Sequence, residues 1–245
     1  MVGTTPVNTR ENILTRVREA LRVPAPSPSR PDAAPHAGET PRADRTNAPS
    51  QVPRFESMRQ WLPKVGPTFA ERAELFRARA LELKADFHLL ATPDELNSRI
   101  SALRDSERWQ RIAAHRGELT GAACRAAATP VLWTDAGYAA DALEACDAGI
   151  TECDALIAQT GSVLVTSRSA GGRALSVLPP HHVVIARREQ LLPDLPAAFE
   201  LLKQKYAPDY PSFISFITGP SRTGDIERIL VLGAHGPNKL TILCL

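Results

Sequence analysis

A chain of 245 residues, 43% of them hydrophobic and 23% charged, can bury the core of one large or two small globular domains. Its 29 basic and 27 acidic residues are spread along the chain and leave a formal charge of +2, so no cationic face for nucleic acid is expected. No stretch approaches the ~18 apolar residues of a membrane span and the first ten residues are polar, which predicts a cytoplasmic protein with no membrane span.

Asn8 and Glu11 stand at capping-box spacing, and Ile13, Leu14, Val17 and Leu21 follow at helical spacing, predicting an amphipathic helix within residues 1–22. Such a helix either frays as a terminal segment or docks on a partner or a second subunit. Residues 23–53 contain eight prolines and hardly any large apolar side chain, the composition of a flexible linker. Residues 54–245 are then expected to form one α/β domain. Thr68 with Glu71 opens a helix that turns Ala73, Phe76, Ala80 and Leu83 inward, and 87–90 reads as a strand. Thr92, Pro93 and Glu95 open a second helix with Leu96, Ile100 and Leu103 inward. Strands are predicted at 109–113 and 131–133, with helices at 119–127 and at 138–146, the latter ending near Gly149.

The second half is denser in strands, predicted at 155–159, 163–166, 182–186, 212–218, 229–232 and 239–244, with a crossover helix at 194–205. The first two are separated by Thr160, Gly161 and Ser162 alone, so they read as an antiparallel hairpin with Gly161 in a backbone conformation closed to other residues. The remaining alternation of strands and helices predicts a mostly parallel sheet covered by helices on both faces, a three-layer α/β/α fold.

The four cysteines, Cys124, Cys146, Cys153 and Cys244, form no CxxC pair and read as buried small hydrophobes, so neither a metal site nor a cofactor is expected in this chain. Chemistry is concentrated elsewhere. Gly219, Pro220, Ser221, Arg222 and Thr223 leave a strand end, where α/β sheets take ligands; Gly219 permits close approach, the hydroxyls offer hydrogen bonds, and Arg222 can grip a carboxylate or phosphate. Arg222 could equally pair with Asp225 or Glu227. A second cluster joins Thr160, Gly161 and Ser162 with Arg173, Ser176, His181 and His182: an oxyanion turn with a proton-moving histidine, or a plain turn. Adjacent histidines point to opposite faces, so at most one shares a site with Arg173. Gly233, His235, Gly236 and Pro237 form either a hairpin loop or a third wall. Glu152 and Asp154 are a helix cap or acids beside the pocket, with Glu152 and Asp225 the candidate catalytic acids.

Three blocks carry a family resemblance: ITECDALIAQTGSVLV at 150–165, RALSVLPPHHVVI at 173–185 and FITGPSRTGDIERILVLGAHGP at 216–237. In this order they resemble the LUD-domain family of lactate-utilisation proteins, the last block being the most specific. The resemblance implies a fold similar to ribose-phosphate isomerase, glucosamine-phosphate deaminase and the CoA-transferases. It also implies a part in oxidising L-lactate to pyruvate alongside partner proteins that carry iron–sulfur clusters. On that reading Arg222 and the Thr160–Ser162 turn hold the carboxylate of a small anionic ligand such as lactate, and His182 assists proton removal. A non-catalytic assembly or anion-sensing module is the competing expectation, with a stand-alone isomerase or CoA-transferase-like enzyme behind it.

Overall fold

The computed structural model describes residues 62–223, 231–232 and 236–245, with Thr223, Val231 and Leu232 described in their backbone alone. The predicted helix at 1–22 and linker at 23–53 lie outside the described residues, as do Asp225 and His235.

Helices start where capping chemistry places them. Thr68 caps α1 (Phe69–Glu82): its Oγ1 accepts from the Glu71 amide at 3.3 Å while its own amide donates to Glu71 Oε2 at 3.0 Å. Thr92 likewise accepts from the Glu95 amide to open α2 (Pro93–Glu107). Neither α3 (Glu118–Ala127) nor α4 (Ala140–Glu144) has a cap supplied by the side chain just before it. Asp194 opens α5 (Leu195–Tyr206) by accepting from the Ala197 amide at 3.0 Å. The helix expected at 138–146 is thus only the short α4.

Twelve strands are described. They are β1 (Asp86–Leu89), β2 (Ile112–Ala114), β3 (Val131–Trp133), β4 (Ala148–Glu152), β5 (Ala155–Ile157), β6 (Ser162–Thr166), β7 (His181–Ala186), β8 (Leu191–Leu192), β9 (Ile214–Ile217), β10 (Arg222–Thr223), β11 (Val231–Leu232) and β12 (Lys239–Cys244). Among the described residues, six of them form one sheet in the order β1-β12-β7-β4-β2-β3, every pairing parallel. The inner strands β2, β4 and β7 are buried almost throughout, so they show no alternation of apolar and polar residues. That absence of alternation is why β4 was not predicted: the end of a helix was expected there.

One face of the sheet packs on α2 and α3, through Ile112, Ile150, Val183, Ile185 and Leu243 against Leu96, Ile100 and Ala123. The other meets α1, where Phe76 and Ala80 touch the cluster holding Val184, Leu240 and Ile242. Helices on both faces make the three-layer α/β/α fold. The alternation of strands and helices gives no sign of a second sheet, β8-β5-β6-β9; it lies in the α1 layer and is covered in turn by Ala198, Leu202 and Tyr206 of α5. Its β5–β6 pair is the expected antiparallel hairpin, and Gly161 turns it with φ at +65°.

Candidate functional site

β7 sits at the centre of the parallel sheet and begins with two histidines, whose side chains leave on opposite faces because strand side chains alternate. His181 faces the α2 side. Its Nε2 shares a 2.9 Å hydrogen bond with Thr241 Oγ1, and its ring meets Trp109 edge-on at 5.5 Å. His182 faces the α1 side, where its Nε2 shares a 2.9 Å hydrogen bond with Thr151 Oγ1. Burial pushes the pKa of His181 down to about 4 and that of His182 to about 3, so both rings are neutral at neutral pH.

His182 is 1% exposed, and its Nδ1 has no partner among the described residues. It lines a cavity of about 240 Å³. Leu240 and Ile217 supply apolar wall, Ser176 and Val177 come from the segment before β7, and Gly219, Ser221 and Gly236 come from the loops after β9 and before β12. Those two loops are joined: the Ser221 amide donates to the Pro237 carbonyl at 2.8 Å. The segment carrying Ser176 can lie on the sheet because β4 offers Gly149 there; a Cβ at that position would come within 2.4 Å of the Leu175 carbonyl oxygen. Gly149→Ala should therefore displace this wall, lowering stability by about 2 kcal/mol in chemical denaturation.

The structure brings together His182, Ser176, Gly219 and Ser221 of the predicted site residues. Ser162 stands one step back, with its Oγ hydrogen-bonded at 2.8 Å to Oγ1 of Thr218, which lines the cavity. The other predicted residues lie elsewhere. Gly161 faces α1, since a Cβ there would meet Arg79 Cβ at 2.6 Å, and the buried Thr160 Oγ1 finds no partner among the described residues. Arg222, expected to grip the ligand, donates instead to the Leu83 carbonyl at the end of α1, at 2.7 Å. Arg173 is exposed and does not line the cavity.

Glu152 ends β4 three residues beyond Gly149, the partner of His182 in register, and its Oε1 accepts from the Leu119 and Thr120 amides at 3.0 and 3.3 Å. It neutralises the first turn of α3 rather than facing the His182 cavity. Asp154 is no cap: it is buried, and its Oδ1 accepts from Lys205 Nζ and from Tyr206 Oη, both at 2.6 Å. Burial alone would raise its pKa, but the hydrogen bonds from Lys205, Ser169 and Tyr206 outweigh that and hold it below the usual carboxylate value. Thr223 is seen only as backbone, paired with Val231.

The cavity lies at the carboxyl end of β9 but at the amino ends of β7 and β12, so the rule that α/β sheets bind at carboxyl ends holds for the small sheet alone. Among the described residues no three of His, Cys, Asp or Glu converge to hold a metal ion. No helix among them is long and apolar enough to cross a membrane.

A sequence model described as the LUD domain matches residues 113–245. A relative named Lactate utilization protein C, from Anoxybacillus flavithermus, is 36% identical over 103 residues, covering 42% of this chain and 46% of the relative. Another of that name, from Halalkalibacterium halodurans, is 40% identical over 96 residues, covering 38% of this chain and 42% of the relative. The chain thus spans less than half the length of these curated relatives. The crystal structure of a DUF162 family protein from Deinococcus radiodurans superposes with a TM-score of 0.57 at 22% identity, covering 73% of this chain and 99% of that one, which shows a shared fold.

Proposed function

Because the chain belongs to the LUD-domain family, we propose that it is a component of a lactate-utilisation system, holding a small carboxylate such as lactate in the His182 cavity while partner proteins carry the iron–sulfur clusters. The relatives named Lactate utilization protein C point to the system. The observation that carries the ligand is the buried, unpartnered Nδ1 of His182 beside a space large enough for a small molecule. A buried polar atom without a partner is costly, and a ligand hydroxyl or carboxylate oxygen relieves it.

Lactate carries a methyl, a hydroxyl and a carboxylate. The Leu240 and Ile217 walls suit the methyl, the neutral imidazole suits a ligand oxygen, and Ser176, whose hydroxyl donates to the Arg173 carbonyl at 3.0 Å, can accept from the ligand hydroxyl. With its pKa so low, His182 is a weak base, and its role here is to orient the substrate hydroxyl. Conversion to pyruvate removes two electrons and two protons, which an acceptor must take up. The four cysteines are poorly placed to hold such an acceptor: Cys153 and Cys244 lie in one core cluster, Cys124 in a second and Cys146 in a third.

Calorimetric titration of L-lactate and pyruvate tests this reading. The wild type is expected to bind saturably, and His182→Ala at least tenfold more weakly, the equivalent of one hydrogen bond of about 1.4 kcal/mol. Leu240→Phe, which fills the cavity, should weaken binding likewise. Undiminished affinity in both variants sinks the site assignment, and no binding by the wild type favours the assembly reading. The isolated chain should not reduce an artificial electron acceptor with lactate; if it does, the division of labour with partners is wrong.

A further inference from the structure

A second cavity, of about 330 Å³, runs along α3 and β3, the last strand of the parallel sheet, from Arg116 just after β2 to Arg125 in the last turn of α3. Arg116 and Arg125 both line it, Trp133 and Val131 form a wall, and Gly117 and Gly121 of the α3 region form its floor. The Arg116 guanidinium lies over the Trp133 ring at 5.2 Å from the centroid. Among the described residues no carboxylate lines the cavity. Those nearby are engaged: Asp135 accepts from the Arg116 backbone amide at 2.8 Å, Glu152 caps α3, and Glu118 pairs with Arg187 at 2.7 Å.

The two glycines have different explanations. A Cβ at Gly117 would sit 2.3 Å from Glu152 Oε1, so glycine there leaves room for the carboxylate that caps α3. Gly121 lies inside α3, and its nearest neighbour for an added Cβ is Arg125 Nη1 at 3.6 Å, an ordinary contact. Alanine would fit and would strengthen the helix, since glycine is a poor residue in a helix interior. The fold gives no reason for Gly121, whereas a ligand lying close on the backbone of α3 does.

We propose that this cavity binds a phosphate-bearing ligand with a flat ring, a mononucleotide, with the phosphates on Arg116 and Arg125 and the ring along the Trp133 wall over Gly121. Guanidinium groups suit phosphate oxygens, and the volume falls where ligands larger than a bare anion bind. The site is distinct from the His182 cavity and stands or falls separately from the lactate reading.

Calorimetric titration of ADP into the chain, with inorganic phosphate and adenosine as separate arms, is the test. ADP is expected to bind saturably, and each of the two fragments at least tenfold more weakly. Gly121→Ala should weaken ADP at least tenfold while raising the melting temperature by about 2 °C. Arg125→Gln should weaken ADP by a similar factor, and His182→Ala should leave its affinity unchanged. Three results would overturn the proposal: no ADP binding at millimolar concentration, phosphate binding as tightly as ADP, or Gly121→Ala binding ADP like the wild type.

Discussion

Lowering the pH from 7 to about 4.5 should cost the domain on the order of 5 kcal/mol of stability through His181 and His182. Both are buried at the start of β7 and are held neutral, with pKa values of about 4 and about 3 against 6.5 for a free histidine. Between those values the unfolded chain binds protons that the folded one refuses, so stability rises with pH across that window. It is fully present above about pH 6.5 and drains away as the pH falls toward the folded values. Each histidine contributes about 1.4 kcal/mol per pH unit within the window. Urea denaturation at a series of pH values checks this. His181→Gln/His182→Gln should flatten the slope between pH 6.5 and 4.5; a double variant as steep as the wild type would show that other groups carry the acid sensitivity.

Asp154→Ala should destabilise the protein by about 3 kcal/mol, lowering its melting temperature by about 6–10 °C. The carboxylate is buried in the turn from β4 to β5, and Oδ1 accepts from both Lys205 and Tyr206 at the end of α5. Tyr206 continues the chain to Thr166 Oγ1 at 3.2 Å, and Thr166 bonds Ser169, so the carboxylate also steadies the segment after β6. The lysine side chain is 49% exposed and can turn to water, which limits its share of the loss. Double-mutant cycles should therefore give a coupling below about 1 kcal/mol between Asp154 and Lys205 and a larger one between Asp154 and Tyr206. Equal couplings would place the ion pair, not the buried phenol, at the centre of this brace.

Helix starts were legible because capping is local: Thr68, Thr92 and Asp194 each act within four residues of themselves. The hairpin around Gly161 was legible for the same reason. β4 was not, since Ala-Gly-Ile-Thr-Glu is too short and too evenly buried to show a period, and its glycine is explained only by the segment that packs on it. The strand rule separated His181 from His182, yet which face holds a cavity depends on loops far away in sequence. Arg222 shows the same limit: its chemistry suits an anion, but the carbonyl that accepts its hydrogen bond belongs to Leu83, the residue that ends α1, 139 positions earlier. The Arg116 and Arg125 cavity carried no motif at all. Its one trace in the sequence is a glycine inside a helix that alanine would suit better.

The strand order sets how this sheet must assemble. Among the described strands β1 pairs with β12 alone, which is also the strand that joins it to β7, and Asp86 finds its partner in Thr241. Until residues 239–244 have been made, β1 and β7 each present an open edge, and the cavity beside His182 lacks its Leu240 wall. The six described strands of this sheet are therefore completed from the inside, by a strand made after the other five, which makes folding depend on contacts distant in sequence and slows it.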